Sequence, residues 1–170
     1  MERFMLGVST ASCGRADRDV FYEYKNAGIG AMEISLSPEK TAELDPDGIR
    51  RLSLETGVEV WSFHLPFYPF ETNNIASPDR EVRKNSVLIQ TECIKKAAMT
   101  GAKIAVIHPS AEPNPENERA ERLNCAKESL ALLSAVAAKN GMILAVEDLP
   151  RTCLGNSAEE IKDLISADER

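Results

Sequence analysis

The sequence predicts an α/β fold in which five parallel strands alternate with helices. Three apolar stretches, at residues 57–66, 101–109 and 141–150, each begin with glycine and end in a polar residue close to a proline. Apolar runs of this length between turn residues are typical of strands that are buried on both faces. Strands that alternate with helices build a parallel sheet through crossover connections.

The same alternation runs from the beginning of the chain. A first strand is predicted at residues 4–9 and a second at residues 31–36. The third, fourth and fifth strands end at His64, His108 and Glu147. Because the strands are parallel, these three residues are expected at one edge of the sheet, where α/β folds build their active sites.

Capping residues and apolar periodicity predict a helix after each strand. The predicted helices cover approximately residues 17–27, 45–57, 77–100, 114–140 and 157–164. Ser157 and Glu160 have the spacing of a capping box. In the helix at residues 77–100, the residues predicted to face the core are Val82, Ser86, Ile89, Cys93 and Ala97. In the helix at residues 114–140 they are Leu123, Ala126, Leu130, Leu133 and Ala137. The helix at residues 45–57 carries Ile49, Leu52 and Leu54.

Five strand–helix units fit either an open doubly wound sheet or part of a (β/α)8 barrel. No Gly-x-Gly-x-x-Gly or Walker loop follows a strand, and the glycine pair at residues 28–30 precedes one. A barrel directs polar strand ends toward a common centre more readily than an open sheet does. A complete barrel needs about 250 residues. The 170 residues therefore predict a single incomplete barrel domain over residues 1–170, with five units of the eight.

Composition narrows the class of function. The net charge of −7 argues against a general affinity for nucleic acid. The four cysteines lie far apart and form no CxxC pair, so they are expected to be reduced thiols of a cytoplasmic protein. The start of the chain lacks the apolar core of a signal peptide, and no apolar run is long enough to cross a membrane.

The main functional signal is that both histidines of the chain, His64 and His108, lie at equivalent strand ends. With Glu147 they supply two imidazoles and a carboxylate, which can bind zinc and leave an open coordination position. The plain alternatives are two core histidines with satisfied hydrogen bonds and a carboxylate that is solvated or paired with Arg151.

Side chains near these strand ends are candidates for substrate contacts. Glu33 is predicted to face inward, either as a substrate-side carboxylate or as a structural buried acid. Phe67, Tyr68 and Phe70 are either a lid or hydrophobic wall over a small ligand, or an aromatic plug or partner surface, with plain packing favoured. Trp61 and Phe63 alternate away from His64 and are predicted to lie in the core.

Several of these segments resemble a known superfamily. The stretches 64–67, 106–109 and 145–150 look like the strand ends of xylose isomerase-like TIM barrels, and Met32-Glu33-Ile34 is similar to the second strand of that group. The group includes sugar-phosphate isomerases and epimerases, and endonuclease IV-type enzymes that act at abasic DNA sites. The resemblance covers nearly the whole chain, but only the first five of the eight barrel units.

The resemblance implies roles for particular residues. In the isomerases and epimerases, the glutamate that matches Glu147 ligates a divalent metal (Mn, Mg or Zn) and can act as an acid–base group. The remaining ligands there come from strands six to eight. In the endonucleases, the residues that match His64, His108 and Glu147 are all zinc ligands. The chain also has Asp148 where many relatives carry asparagine.

The predicted function is therefore the N-terminal part of a metal-dependent sugar or sugar-phosphate isomerase or epimerase, weakly active or inactive as this chain alone. Its catalytic and metal-binding residues are Glu147, His108 and His64, and Glu33 and Phe67 contact the substrate. One alternative is a non-catalytic half-barrel fragment that forms a homo-oligomer through its exposed strand edges. The other is an abasic-site nuclease, which the acidity disfavours.

Overall fold

The computed structural model describes residues 4–166, and its five strands form one parallel sheet in the order β1-β2-β3-β4-β5. The strands are β1 (Gly7–Ser9), β2 (Ala31–Ser35), β3 (Glu59–His64), β4 (Ile104–Ile107) and β5 (Ile143–Val146). A doubly wound sheet reverses its strand order at a switch point, whereas a barrel keeps the strands in sequence. The prediction of an α/β partial barrel with five of eight units is confirmed.

Six α-helices lie in the described part of the chain, together with two short 3-10 helices at Thr10–Ser12 and Glu116–Glu118. The α-helices are α1 (Arg18–Asn26), α2 (Pro38–Glu43), α3 (Pro46–Thr56), α4 (Arg80–Thr100), α5 (Arg119–Lys139) and α6 (Ala158–Ile165). The sequence did not predict α2, a short helix that Ser37 caps by accepting the backbone N–H of Lys40. Within residues 4–166, no helix combines the length and apolar character that a membrane span requires. Residues 1–3, which belong to the segment predicted not to be a signal peptide, and the acidic end at 167–170 lie outside the described residues.

The predicted helix ends are formed largely as the sequence indicates. Asp17 rather than Asp19 caps α1, accepting the backbone N–H of Val20 at 3.1 Å. Gly101 ends α4 at φ 94°, a left-handed conformation that glycine adopts without strain and that turns the chain directly into β4. The capping box of α6 is half formed. Ser157 accepts the N–H of Glu160, as predicted, but the Glu160 carboxylate turns to other donors, including the backbone N–H of Gly155.

The two faces of the sheet differ sharply in exposure. The helix-covered face carries fully or nearly fully buried side chains: Met32, Ile34, Phe63, Ala105 and Ile107. The opposite, concave face carries the half-buried Glu33, His64 and His108, and Ile143 on it is 67% exposed. The core therefore lies between sheet and helices, and the concave face is left open.

A β-bulge corrects the prediction for Trp61. Met32 pairs with Val60 and Glu33 pairs with Ser62, so Trp61 is an extra residue in β3. The bulge resets the alternation, and both Val60 and Phe63 pack against the helices. Phe63 is fully buried as predicted, but Trp61 is 48% exposed and not in the core.

One prediction of helix orientation also needs correction. In α4 the buried residues are Ser86, Gln90, Ile94, Ala97 and Thr100. Cys93 is half-buried and packs against the core, whereas Ile89 is half-buried and lies outside the core cluster. Apolarity was the wrong guide at Ile89, because α4 turns the polar Gln90 toward the loop that precedes the helix. In α5 the predicted Ala126, Leu130, Leu133 and Ala137 are all buried.

Candidate metal centre

Three neighbouring strands position the candidate ligands. The hydrogen-bonded ladder continues one residue past the strand ends, because Leu65 donates its N–H to the Val106 carbonyl and Glu147 donates its N–H to the Ile107 carbonyl. These backbone bonds, of 2.9 and 3.0 Å, fix the residues at the carboxyl edge of β3, β4 and β5. His64, His108 and Glu147 then project onto the same side of the sheet.

The three side chains converge on one carboxylate oxygen. Glu147 Oε2 lies 3.0 Å from His64 Nε2 and 3.0 Å from His108 Nε2. One ligand atom from each of the three residues lies within 4.8 Å of the other two. The imidazoles are well covered, with 12% and 17% of their side chains exposed, while 39% of the Glu147 side chain is exposed. The imidazole side of the cluster is therefore largely shielded from solvent, whereas the carboxylate side is open to it.

A backbone carbonyl fixes the tautomer of His64. Its Nδ1 lies 2.9 Å from the Leu65 carbonyl oxygen, which can only accept a hydrogen bond, so Nδ1 carries the proton. In the neutral form of the ring, the lone pair of Nε2 points at the Glu147 carboxylate, which is also an acceptor. Two acceptors 3.0 Å apart repel each other unless a proton or a metal cation lies between them.

His108 is disposed to be neutral. Burial, and next the neighbouring His64, lower the pKa of His108, and the Glu147 carboxylate opposes this shift only partly. A neutral imidazole is the form that binds a metal. The ring of Phe67 stacks on the His108 ring at a centroid distance of 4.3 Å and 19° between planes, and it meets the His64 ring edge-on at 5.6 Å.

The geometry of the donor atoms fits a small divalent cation. Around a tetrahedral zinc with bonds of about 2.0–2.1 Å, ligand atoms are about 3.3 Å apart. The two nitrogen–oxygen separations of 3.0 Å are close to this value. Two imidazole nitrogens and one carboxylate oxygen are a typical zinc donor set, and they leave one position open.

The alternative of a Glu147–Arg151 ion pair is wrong. Arg151 binds Glu112 instead, with its Nε donating at 3.1 Å and its Nη2 making a second contact. This hydrogen bonding lowers the pKa of Glu112. Glu147 is therefore left to the two histidines, and the neighbouring Asp148 is exposed.

Glu33 faces inward as predicted but lies outside the cluster. It pairs in register with Ser62, two residues before His64 in β3, which puts it about 6–7 Å deeper along the strand. Ser62 donates its hydroxyl hydrogen to Glu33 Oε2 at 3.0 Å. Both residues line a cavity of about 440 Å³ on the concave face, together with Trp61 and Met5.

Sequence reasoning missed the polar residues that hold Glu33 and the loop beside the cluster. Ser62 carried a signal, because its spacing of two from His64 puts it on the same face of β3. Gln90 and Asn73 carried none that can be recognised without the fold. They are buried behind the loop that bears Phe67, and both donate to the Pro66 carbonyl.

Several solved structures with the same fold are named as sugar epimerases or epimerase-like proteins. D-psicose 3-epimerase from Clostridium cellulolyticum H10 superimposes with a TM-score of 0.79 at 16% identity, covering 98% of this chain and 61% of that one. A D-tagatose 3-epimerase-like protein gives 0.77 at 25% identity, covering 95% and 60%. A 3-keto-D-glucoside 4-epimerase from E. coli gives 0.76 at 18% identity, covering 98% and 65%.

The chain thus spans about three fifths of the length of these structural relatives. No curated protein sequence is significantly similar to it. Its sequence does match the model of one protein family, described as xylose isomerase-like TIM barrel, over residues 21–169. Because this match covers most of the chain, the protein belongs to the xylose isomerase-like TIM barrel family.

Proposed function

We propose that residues 1–170 form one incomplete barrel domain, the metal-binding N-terminal part of a sugar or sugar-phosphate isomerase or epimerase. The observation that carries the proposal is the convergence of His64 Nε2, His108 Nε2 and Glu147 Oε2 at the carboxyl edge of the sheet. Relatives with the same fold are epimerases of ketohexoses and of a keto-glucoside, which supports a small sugar as substrate.

In this proposal His64, His108 and Glu147 are the metal ligands. The two nitrogens favour zinc over Mg²⁺, which prefers oxygen ligands, and Mn²⁺ is intermediate. When bound, a divalent cation supplies polarisation of a substrate carbonyl and the adjacent hydroxyl group. The exposed side of Glu147 is the group that moves a proton between neighbouring carbons. It is open to a ligand while the imidazoles stay covered.

The substrate is proposed to lie on the concave face, between Glu33 and Phe67. Glu33, held by Ser62, offers a carboxylate oxygen to sugar hydroxyl groups from below the metal centre. Phe67 forms an apolar wall beside the imidazoles. For this chain alone we propose weak or no turnover, because its five strands enclose only one side of the concave face.

Zinc binding tests the metal site. Equilibrium dialysis of the metal-free protein against Zn²⁺, Mn²⁺ and Mg²⁺ should give one zinc per chain, with weaker Mn²⁺ and weakest Mg²⁺ binding. A double variant, His64→Gln with His108→Gln, should abolish zinc binding. If the wild-type protein binds no zinc, or the double variant binds it equally well, the site is wrong. Robust metal-dependent epimerisation of D-psicose or D-tagatose by residues 1–170 would overturn the proposed inactivity.

A second candidate function is a non-catalytic half-barrel that self-associates. The observation that favours it is the open concave face between two sheet edges, since within residues 4–166 β1 and β5 each pair on one side only. Trp61, Ile143 and Met5 on or beside this face are 48%, 67% and 55% exposed. Unpaired strand edges with exposed apolar side chains favour association.

Multi-angle light scattering tests self-association. A dimer or larger oligomer should dissociate when Ile143→Lys introduces a charge on the concave face. The matched control is Leu132→Lys, since Leu132 is 60% exposed on the helical side. A clean monomer of the wild-type protein at high concentration counts against self-association, and equal dissociation by the control counts against the concave face as the interface.

The third candidate is an abasic-site endonuclease. It is favoured by the convergence of His64, His108 and Glu147, which is the ligand set that the resemblance implies for those enzymes. The net charge of −7 opposes it, because a DNA backbone requires a basic surface. Absence of binding to an abasic duplex at low salt would eliminate it.

A cytoplasmic location is part of the main proposal, supported by four free cysteines, and cell fractionation checks it.

A further inference from the structure

We infer that Gln90, a buried residue of α4, positions both histidines of the candidate metal centre through the segment 65–67. This inference rests on the proposed function only in taking His64 and His108 as metal ligands. Gln90 donates its hydrogen bonds to the loop after β3, at Pro66 and Asn73, and to neither histidine. It acts, in this view, by fixing the backbone that holds the two rings.

Leu65 and Phe67 contact the histidines, and Pro66 connects these two residues in the chain. The Leu65 carbonyl accepts the Nδ1 hydrogen of His64 at 2.9 Å and thereby sets its tautomer. Phe67 stacks on His108 at 4.3 Å and contacts the edge of His64. Between them, Pro66 has no N–H group, so its carbonyl is the one backbone group of this residue that can form a hydrogen bond. A shift of the Pro66 peptide therefore moves the contacts to both histidines together.

The Pro66 carbonyl accepts hydrogen bonds from two buried side-chain amides. Gln90 Nε2 donates to the Pro66 carbonyl at 2.7 Å, and Asn73 Nδ2 donates to the same oxygen at 2.7 Å. Gln90 Nε2 also donates to Asn73 Oδ1 at 2.9 Å, which orients the second amide. Gln90 is 3% exposed and Asn73 is 6% exposed, so water does not compete for these bonds. The arrangement is a closed triangle around one carbonyl.

Gln90 is a poor choice for stability alone. Its neighbours in the buried stripe of α4 include the apolar Ile94 and Ala97. Among the described residues, Gln90 Oε1 has no hydrogen-bond partner, and an unpaired buried acceptor destabilises the fold. An apolar side chain at this position would remove that cost but would also release the Pro66 carbonyl. The N–H groups of the Gln90 amide therefore explain why glutamine occupies this position. They bind Pro66 and Asn73, which lie in the loop beside the histidines.

A separate anchor of the same loop, Ser129, provides a control. Ser129 in α5 donates to the Ile75 carbonyl at 2.7 Å and is 2% exposed. Ile75 lies nine positions beyond Pro66, at the far end of the loop. Ser129 thus anchors the same loop with similar burial but without a connection to the segment 65–67. Substitution of either Gln90 or Ser129 would loosen the loop in general, whereas only substitution of Gln90 would disturb the positions of the histidines.

The first test reads the histidine rings in the metal-free protein by long-range ¹H–¹⁵N NMR. In the wild type, His64 should appear as the Nδ1–H tautomer, and the His108 ring protons should be shifted upfield by the stacked Phe67. Gln90→Met, which keeps the side-chain length and removes the donor, should move both sets of signals. Ser129→Ala should leave them in place. Asn73→Ala, which removes the second donor to Pro66, should act in the same direction as Gln90→Met and serves if that variant does not fold.

The second test is zinc affinity, with the absorption spectrum of Co²⁺ as a reporter of ligand geometry. Gln90→Met should weaken zinc binding by about 10- to 100-fold, the usual effect of losing an outer support of a metal site. It should also alter the Co²⁺ spectrum, which a loss of stability alone would not do. Unchanged histidine signals in both Gln90→Met and Asn73→Ala, or an equal change in Ser129→Ala, would overturn the inference. If the wild type binds no metal but its histidine signals respond to Gln90→Met, the proposed function fails and the positioning role stands.

Discussion

Replacing Glu147 with glutamine should have opposite effects on the metal-free and the metal-bound protein. Glu147 Oε2 lies 3.0 Å from two imidazole nitrogens, and a neutral imidazole with its proton on Nδ1, as at His64, presents a lone pair to it. A glutamine amide of the same shape has two N–H groups to donate to those nitrogens. Glu147→Gln therefore removes a conflict between acceptors, but it also removes the negative ligand that a divalent cation needs.

The magnitudes follow from binding linkage. Zinc at 1,000 times its dissociation constant stabilises a folded protein by about 4.1 kcal/mol, and each kcal/mol raises the melting temperature by about 2–4 °C at this chain length. The wild type should therefore gain about 8–16 °C with zinc. A direct ligand should matter at least as much as an outer support, so Glu147→Gln should cost at least about 100-fold in affinity and leave a gain of about 3–6 °C at most. Without metal, the new hydrogen bonds should leave stability unchanged or raised by about 0.5–1.5 kcal/mol.

Differential scanning calorimetry with and without zinc measures both effects. Asp148→Asn is the matched control, because it removes the same charge from the adjacent, exposed carboxylate. The control should retain the full zinc-induced rise in melting temperature. The reasoning is refuted if Glu147→Gln keeps that rise, if Asp148→Asn loses it, or if Glu147→Gln clearly destabilises the metal-free protein.

Three further outcomes are expected. Leu133→Ala should lower the free energy of unfolding by about 3–4 kcal/mol in urea titrations, because Leu133 is fully buried in α5. Leu54→Ser should change it by less than about 0.5 kcal/mol, since Leu54 is 77% exposed. The folded pKa of His108 lies below its ordinary value of 6.5, so the unfolded chain binds the proton at a higher pH than the folded protein does. The metal-free protein should therefore lose stability between about pH 7.5 and pH 5.5, and His108→Gln should reduce this loss in urea titrations at the two pH values.

The strand ends were predictable because they depend on local sequence and on one rule of parallel sheets. His64, His108 and Glu147 each close an apolar run, and parallel strands bring their carboxyl ends to one edge. The order of five strands followed from the same alternation. What the sequence left open was whether the three side chains approach one another, since that depends on register. The register pairs His64 with Val106, and Val106 with Ala145, which sets the final spacing.

The errors have local physical causes. Trp61 was assigned to the core by strict alternation, and alternation fails at a bulge because one strand carries an extra residue. Ile89 was assigned to the buried stripe of α4 by its apolarity, but α4 turns Gln90 inward to bind a loop carbonyl. Hydrophobic patterns cannot predict such a residue, because its position depends on the conformation of an irregular segment far away in the sequence.

The proposed metal centre and the proposed turnover have different structural requirements. The candidate ligands come from consecutive strands, and ladder bonds between β3, β4 and β5 hold them at the sheet edge. Their spacing therefore depends on neighbouring strands and, in the proposal for Gln90, on the segment 65–67. A sugar bound on the concave face as proposed would meet protein on one side only, because within residues 4–166 β5 pairs with β4 alone. Five strands thus suffice for the proposed metal centre, whereas efficient proton transfer requires a wall that also excludes water from the substrate.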